Sequence, residues 1–197
     1  MKIAIIDYNA GNVQSVQFAL ERLGVSGFLT SEVHQIQSAD KVIFPGVGEA
    51  NSTMNHLRKL GLDQVIPNLQ QPVLGICLGM QLLCSHSEEN DTPCLNIIPQ
   101  RVVRFRPKSK EIKVPHVGWN SIVIKKGAWM SPQLEGEYVY FVHSYFVELG
   151  EFTTATTDYV QPFSAALQKD NFYATQFHPE KSGNVGEQIL KDFIKIK

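Results

Sequence analysis

The sequence predicts an α/β fold: a mixed, mainly parallel sheet flanked by helices, with an antiparallel extension. Three observations carry this. In the first half, short apolar runs are each followed by a turn and then by residues at helical spacing, the pattern of repeated β-α units. Those runs are continuously apolar, as strands covered on both faces are. In the second half, strand-like runs succeed one another with no long helix between them, which points to hairpins.

The elements follow in order. Lys2-Ile3-Ala4-Ile5-Ile6-Asp7 reads as a buried strand. Gly11-Asn12 breaks it, Val13, Val16, Leu20 and Leu23 recur at helical spacing, and Gly24 supplies a stop. Val42-Ile43-Phe44 is a second strand, Pro45-Gly46-Val47-Gly48 its turn, and 51–60 its helix. Val73-Leu74-Gly75-Ile76 is a third strand, with 78–83 as helix. The serines, glutamates and asparagine across 85–91 suggest an exposed loop. The segments 101–105, 121–124, 138–142 and 172–177 read as further strands. A terminal helix closes the chain, with Asn184 as its cap, Glu187 three residues on, and Val185, Ile189, Phe193 and Ile194 as its apolar face.

Composition bounds the function. A chain of 197 residues with 43% hydrophobic and 19% charged residues suits one globular domain, 1–197, with a sizeable core. A net charge of −1 gives no bulk attraction to nucleic acid or acidic membranes. The first residues lack the long apolar core of a signal peptide, and no run approaches the roughly 20 apolar residues of a membrane span. Three cysteines, with no zinc-type spacing, suit the reducing cytoplasm. No metal and no cofactor is expected.

Three local patterns carry chemistry. Gly75-Ile76-Cys77-Leu78-Gly79 places a cysteine where an apolar strand becomes a helix, the arrangement of a nucleophile elbow. Side chains at the flanking positions would collide with neighbouring strands, and a helix N-terminus behind a thiol favours the reactive thiolate. The plain alternative is a buried structural cysteine, which is the reading for Cys84 and Cys94. Gln176-Phe177-His178-Pro179-Glu180 ends a late strand, where residues two apart point the same way, so Glu180 can orient the imidazole of His178 while His178 moves the thiol proton. Alone, such a pair is most often a surface pair. With the cysteine elbow it completes a cysteine–histidine–carboxylate set. Pro45-Gly46-Val47-Gly48 follows a strand and can bring a backbone N–H to an oxyanion beside that of Leu78; otherwise it is an ordinary β-α turn.

Together, G-I-C-L-G-M-Q, P-G-V-G and F-H-P-E resemble the class I (triad) glutamine amidotransferases. More closely, IAIIDYNAGN, VQSVQFALERLG, PHVGWN, YFVHSY and TQFHPEKSG, in that order from residue 1 to the C-terminus, resemble the glutaminase subunits of imidazole glycerol phosphate synthase. The resemblance implies hydrolysis of glutamine to glutamate and ammonia. It also implies a (β/α)₈-barrel cyclase as heterodimeric partner, where the ammonia reacts with PRFAR to give imidazole glycerol phosphate and AICAR in histidine biosynthesis. Carried over by position, Cys77, His178 and Glu180 are the triad, and Gly46, Val47 and Leu78 fall at the oxyanion hole. Gln81, Glu89, His143, Ser144 and Tyr145 fall at the glutamine site, and Asn12, Trp119, Asn120 and Lys181 face the cyclase. The first loop departs from the pattern, with Asn9-Ala10 where many members have Gly after Tyr.

Two other readings stay open from the residues alone. One is a degenerate glutaminase kept as a binding module; the other is a glutaminase serving a different synthase, such as the one making pyridoxal phosphate. A Gly-flanked Val47 peptide can turn either its N–H or its C=O inward, so the expectation is a weak glutaminase when alone, switched on by a liganded cyclase.

Overall fold

The computed structural model describes residues 1–8, 13–109 and 111–197. The order is β1 (Ile3–Ile6), α1 (Val13–Arg22), β2 (Gly27–Thr30), α2 (Val33–Gln37), β3 (Lys41–Gly46), α3 (Ala50–Lys59), α4 (Leu62–Val65), β4 (Val73–Cys77) and α5 (Leu78–Leu83). There follow β5 (Cys84–Ser87), β6 (Thr92–Pro93), β7 (Ile98–Arg104), β8 (His116–Ser121), β9 (Val123–Ile124), β10 (Tyr138–His143) and β11 (Tyr145–Val147). The chain ends with β12 (Thr153–Asp158), β13 (Pro162–Lys169), β14 (Phe172–Thr175) and α6 (Gly183–Lys195).

The main sheet runs β2-β1-β3-β4-β14-β13-β11-β7-β5-β6, with β12 on β13 and β9 on β12. Its first five strands are parallel, and from β13 onward most pairings are antiparallel. A separate antiparallel ribbon pairs β10 with β8. The expected mixed sheet with an antiparallel extension is therefore present.

Alternation within the apolar runs now has its cause. Ile3, Ile5, Ile43, Leu74 and Ile76 pack on one face against Val16, Ala19 and Leu20 of α1 and Leu190 and Phe193 of α6. Ala4, Ile6, Val42 and Phe44 pack on the other against Met54 and Leu57 of α3 and Met80 and Leu83 of α5. Both faces are dry, so neither admits polar residues. A third core, built on Phe105, Phe141, Phe146, Phe163 and Phe177, fills the antiparallel half.

Several expectations need correction. The 121–124 strand is broken at Ile122: Ser121 still pairs with Tyr138, whereas Val123 pairs with Thr156, and Ile122 between them is buried. The 85–91 segment is β5 and a short 3-10 turn rather than an exposed loop, with Ser87 fully buried. Asn184 does not cap the terminal helix, which starts at Gly183 after Ser182. The Ser182 hydroxyl donates instead to the His178 carbonyl at 2.7 Å and accepts from the Tyr140 N–H at 3.0 Å, which ties the helix start to the site. Strands β2, β11, β12 and β13 had no sequence-based assignment.

Candidate active site

Three adjacent parallel strands, β3, β4 and β14, end beside one another, and their carboxyl ends carry the three motifs. Gly46 lies opposite Cys77, and Thr175 opposite Ile76. The carboxyl edge of a parallel sheet is where α/β folds place ligands, because the chain there turns away into helices and leaves a crevice.

At the end of β4 the backbone of Cys77 has φ 53° and ψ −109°, a strained conformation for a residue with a Cβ, of the kind that costs about 1–3 kcal/mol and is held only by surrounding packing. The flanking glycines provide that packing. A Cβ on Gly79 would lie 2.0 Å from the Phe44 carbonyl oxygen of β3, and one on Gly46 would lie 2.4 Å from the Gly79 nitrogen. Gly75 is required for a different reason than expected: its Cβ would meet Leu83 and Met80 of α5, not a neighbouring strand.

His178 follows β14, and its N–H donates to the Tyr140 carbonyl. The His178 Nδ1–H donates to Glu180 Oε1 at 2.7 Å, with side-chain exposures of only 2% and 3%. The pair forms by another route than extended-strand geometry. The strand stops at Thr175, and Glu180 lies in a 3-10 turn, Pro179–Lys181, which curls the carboxylate back under the ring. Burial alone would lower the pKa of His178, but the interactions with Cys77 and Glu180 outweigh it and raise the value to about 10. His178 Nε2 is buried with no hydrogen-bond partner among the described residues.

Cys77 and His178 line one pocket of about 300 Å³ with Val47, Gly48, Leu78, Gln81, Glu89, Pro115, Val142, His143, Ser144 and Tyr145. All five expected glutamine-site residues are thus brought together. Gly46 lies beneath the pocket, pressed on α5, and does not line it. Gly48, at φ +112°, lines the pocket beside Val47. The Tyr8 hydroxyl donates to the Pro45 carbonyl at 2.6 Å and anchors the turn just before Val47. Tyr8, Pro115 and Val142 lie within motifs quoted above but were given no role at the site, since a tyrosine, proline or valine taken singly names no chemistry.

The polar lining divides by what is already occupied. Glu89 Oε2 accepts the Ala50 N–H at 2.8 Å, while burial raises its pKa and the Glu49 charge adds to that. No cation pairs with it among the described residues. His143 has both ring nitrogens engaged: Nδ1–H donates to the Tyr145 carbonyl at 2.7 Å, so Nε2 accepts from His116 Nδ1–H at 3.2 Å. Burial pushes His143 down to about 3 and His116 to about 4, so both stay neutral.

Of the residues expected to face a partner, Trp119 is 55% exposed and packs edge-on to Tyr140, over whose ring Lys181 Nζ also lies. Asn120 is half-buried, and its side chain donates to the Asp158 carbonyl at 2.8 Å in an exposed bond. Asn12, with the Asn9-Ala10 departure, lies outside the described residues.

The family model for "Glutamine amidotransferase class-I" matches residues 4–196. The chain is a class-I glutamine amidotransferase. This amidotransferase is 59% identical to the "Imidazole glycerol phosphate synthase subunit HisH" of Bacteroides thetaiotaomicron, with all of both chains covered. It is 43% identical to the HisH of Idiomarina loihiensis, covering all of this chain and 98% of that one. It therefore belongs with the HisH glutaminase subunits. Among solved structures, one titled "Crystal structure of glutamine amidotransferase" matches with a TM-score of 0.75 at 16% identity, covering 98% of this chain and 97% of that one. A glutamine amidotransferase from Thermotoga maritima matches at 0.66 and 15%, covering 99% of this chain and 81% of that one. At such identities the likeness concerns the fold.

Proposed function

We propose that this chain hydrolyses L-glutamine to L-glutamate and ammonia through Cys77, His178 and Glu180. We propose further that the ammonia passes to a (β/α)₈-barrel cyclase that converts PRFAR to imidazole glycerol phosphate and AICAR. The observation that carries the first step is the pocket wall itself. A strained cysteine stands beside a buried imidazole whose Nδ1 is fixed by a carboxylate and whose Nε2 has no partner among the described residues.

The chemistry follows from these groups. Cys77 Sγ attacks the carboxamide carbon of glutamine, and the carbonyl electron pair moves to oxygen. The backbone N–H groups of Leu78 and of the Val47 turn meet that oxyanion. His178 Nε2 gives its proton to the leaving nitrogen, the C–N bond breaks, and ammonia departs from a thioester. Water then attacks the thioester while His178 takes its proton, which regenerates the thiolate and releases glutamate. Glu180 keeps Nδ1–H in place, so that Nε2 is the atom that works. Glu89, without a cation among the described residues, suits the ammonium of glutamine, whose arrival would offset the cost of burying its carboxylate. The three cysteines are free thiols, which suits a cytoplasmic enzyme.

The test is co-purification with a HisH-type cyclase partner and assay of the complex with glutamine or with ammonium. Cys77→Ala should abolish synthase turnover with glutamine and leave turnover with ammonium. Loss of both in an assembled complex, or retention of both, refutes the assignment.

A further inference from the structure

Gln176 is fully buried, two residues before His178, and does not line the pocket. Its backbone is fixed by a bond from its N–H to the Ala165 carbonyl at 2.8 Å. Its side chain reaches the nucleophile: Nε2 lies 3.8 Å from Cys77 Sγ. The Val142 carbonyl also approaches the sulfur, at 4.0 Å, beside the interaction with His178.

Which end of the Gln176 amide faces the sulfur follows from a chain of bonds in which each partner leaves one choice. The Tyr145 carbonyl can only accept, and it accepts from Gln81 Nε2 at 2.8 Å and from His143 Nδ1 at 2.7 Å. Gln81 therefore turns its NH₂ inward, and its other N–H goes to Gln176 Oε1 at 3.1 Å. With its oxygen held there, Gln176 presents its NH₂ to Cys77. Gln81 itself stands one helical turn beyond Cys77 on α5, so the bonded chain braces the nucleophile against its own helix. Beyond His143 the chain runs on to His116 at 3.2 Å, on β8 of the ribbon that carries Trp119.

We infer that Gln176 is a positioning residue for the reaction: its carboxamide, held by Gln81, donates to Cys77 Sγ and favours the thiolate in the orientation that attacks glutamine. An N–H donor bonds a thiolate better than a thiol, whereas the Val142 carbonyl can serve only the S–H form, so the amide tips the balance between them. This rests on Cys77 being the nucleophile.

The test reads the sulfur as well as turnover. In the assembled synthase, the rate of Cys77 alkylation by iodoacetamide is followed against pH for wild type and Gln176→Met, which keeps length and burial but removes the donor. A lost charge-assisted bond should move the profile upward by about one pH unit. Turnover with glutamine should fall roughly tenfold through kcat, with KM little changed, because Gln176 touches the sulfur from behind and does not itself line the pocket. Gln176→Asn, which retains a shorter donor, should restore part of both. A folded Gln176→Met whose alkylation profile overlays wild type overturns the inference.

Should Gln176→Met fail to fold, the wild-type protein provides the second reading. The Gln176 Nε2 protons, followed by NMR, should shift on alkylating Cys77 and be altered in Cys77→Ala. Indifference of that resonance to both changes overturns the inference. Failure of the nucleophile assignment looks different: Cys77→Ala would keep glutamine turnover whatever Gln176 does.

Discussion

Glu180→Gln removes one charge from a buried pair while leaving its shape almost intact. The glutamine Oε1 can still accept from His178 Nδ1–H across the 2.7 Å now occupied by the carboxylate, so the ring keeps its tautomer. What is lost is the charge that stabilises the imidazolium. Both side chains are within 3% of full burial, so little solvent screens the interaction. A hydrogen bond to a charged group is worth about 1.5–3 kcal/mol, which corresponds to roughly 10- to 150-fold in turnover if it is fully expressed in the transition state. His178→Ala removes the proton carrier itself and should abolish measurable hydrolysis, a loss of ~10²–10⁴ from acid–base chemistry alone. The assay is glutamate release at saturating glutamine in the assembled synthase, with folding checked by thermal melting. The same Glu180→Gln substitution should lower the titration of His178 from about 10, seen by NMR of the ring protons. If both variants, folded, keep the wild-type rate, the triad assignment is wrong. If Glu180→Gln loses as much as His178→Ala, the carboxylate does more than stabilise charge.

Three further outcomes are expected. A glutamine-like electrophile should form one adduct, at Cys77, since burial raises Cys84 and pushes Cys94 up to about 12; equal labelling at either by mass spectrometry would contradict this. Stability to urea should pass through a maximum near the ordinary histidine value of 6.5. As pH falls below that value, the unfolded chain binds protons that His116 and His143 refuse until about 4 and 3, a loss of roughly 3 kcal/mol between pH 7 and 5. As pH rises above it, the stability contributed by the raised value of His178 is lost progressively up to about 10. An unchanged urea midpoint from pH 7 to 5 would refute the neutral pair, and His116→Phe should remove part of the acid loss. The isolated chain should turn over glutamine slowly and speed up with the cyclase and its nucleotide, by a reorientation of the Val47 peptide next to Gly48. Equal turnover in all four combinations of partner and nucleotide removes the switch, and a single Val47 orientation in free and activated crystals removes the flip.

The local patterns of the chain determined a good deal. Continuous apolar runs at 3–6, 42–44 and 73–76 were strands because burial on both faces excludes polar residues, and helical spacing after each identified the β-α units. The elbow was legible because only glycine fits at Gly79, where β3 passes within 2.0 Å of any Cβ, and such a requirement leaves a mark in the residue letters. His178 and Glu180 were legible as a pair, although the 3-10 turn that joins them was not, since short turns depend on what lies beneath them. Strands β12 and β13 escaped notice because runs of small residues such as Thr153–Asp158 and Ser164-Ala165-Ala166 gain their stability from neighbouring strands rather than from their own pattern. The route from Gln81 through Gln176 to Cys77 joins residues 95 and 99 positions apart in sequence. No spacing rule reaches across such separations. Hydrogen-bond partners of this kind are set by which strands become neighbours in the sheet, and only the folded arrangement of β4, β14 and β11 decided that an ordinary buried glutamine would face the sulfur.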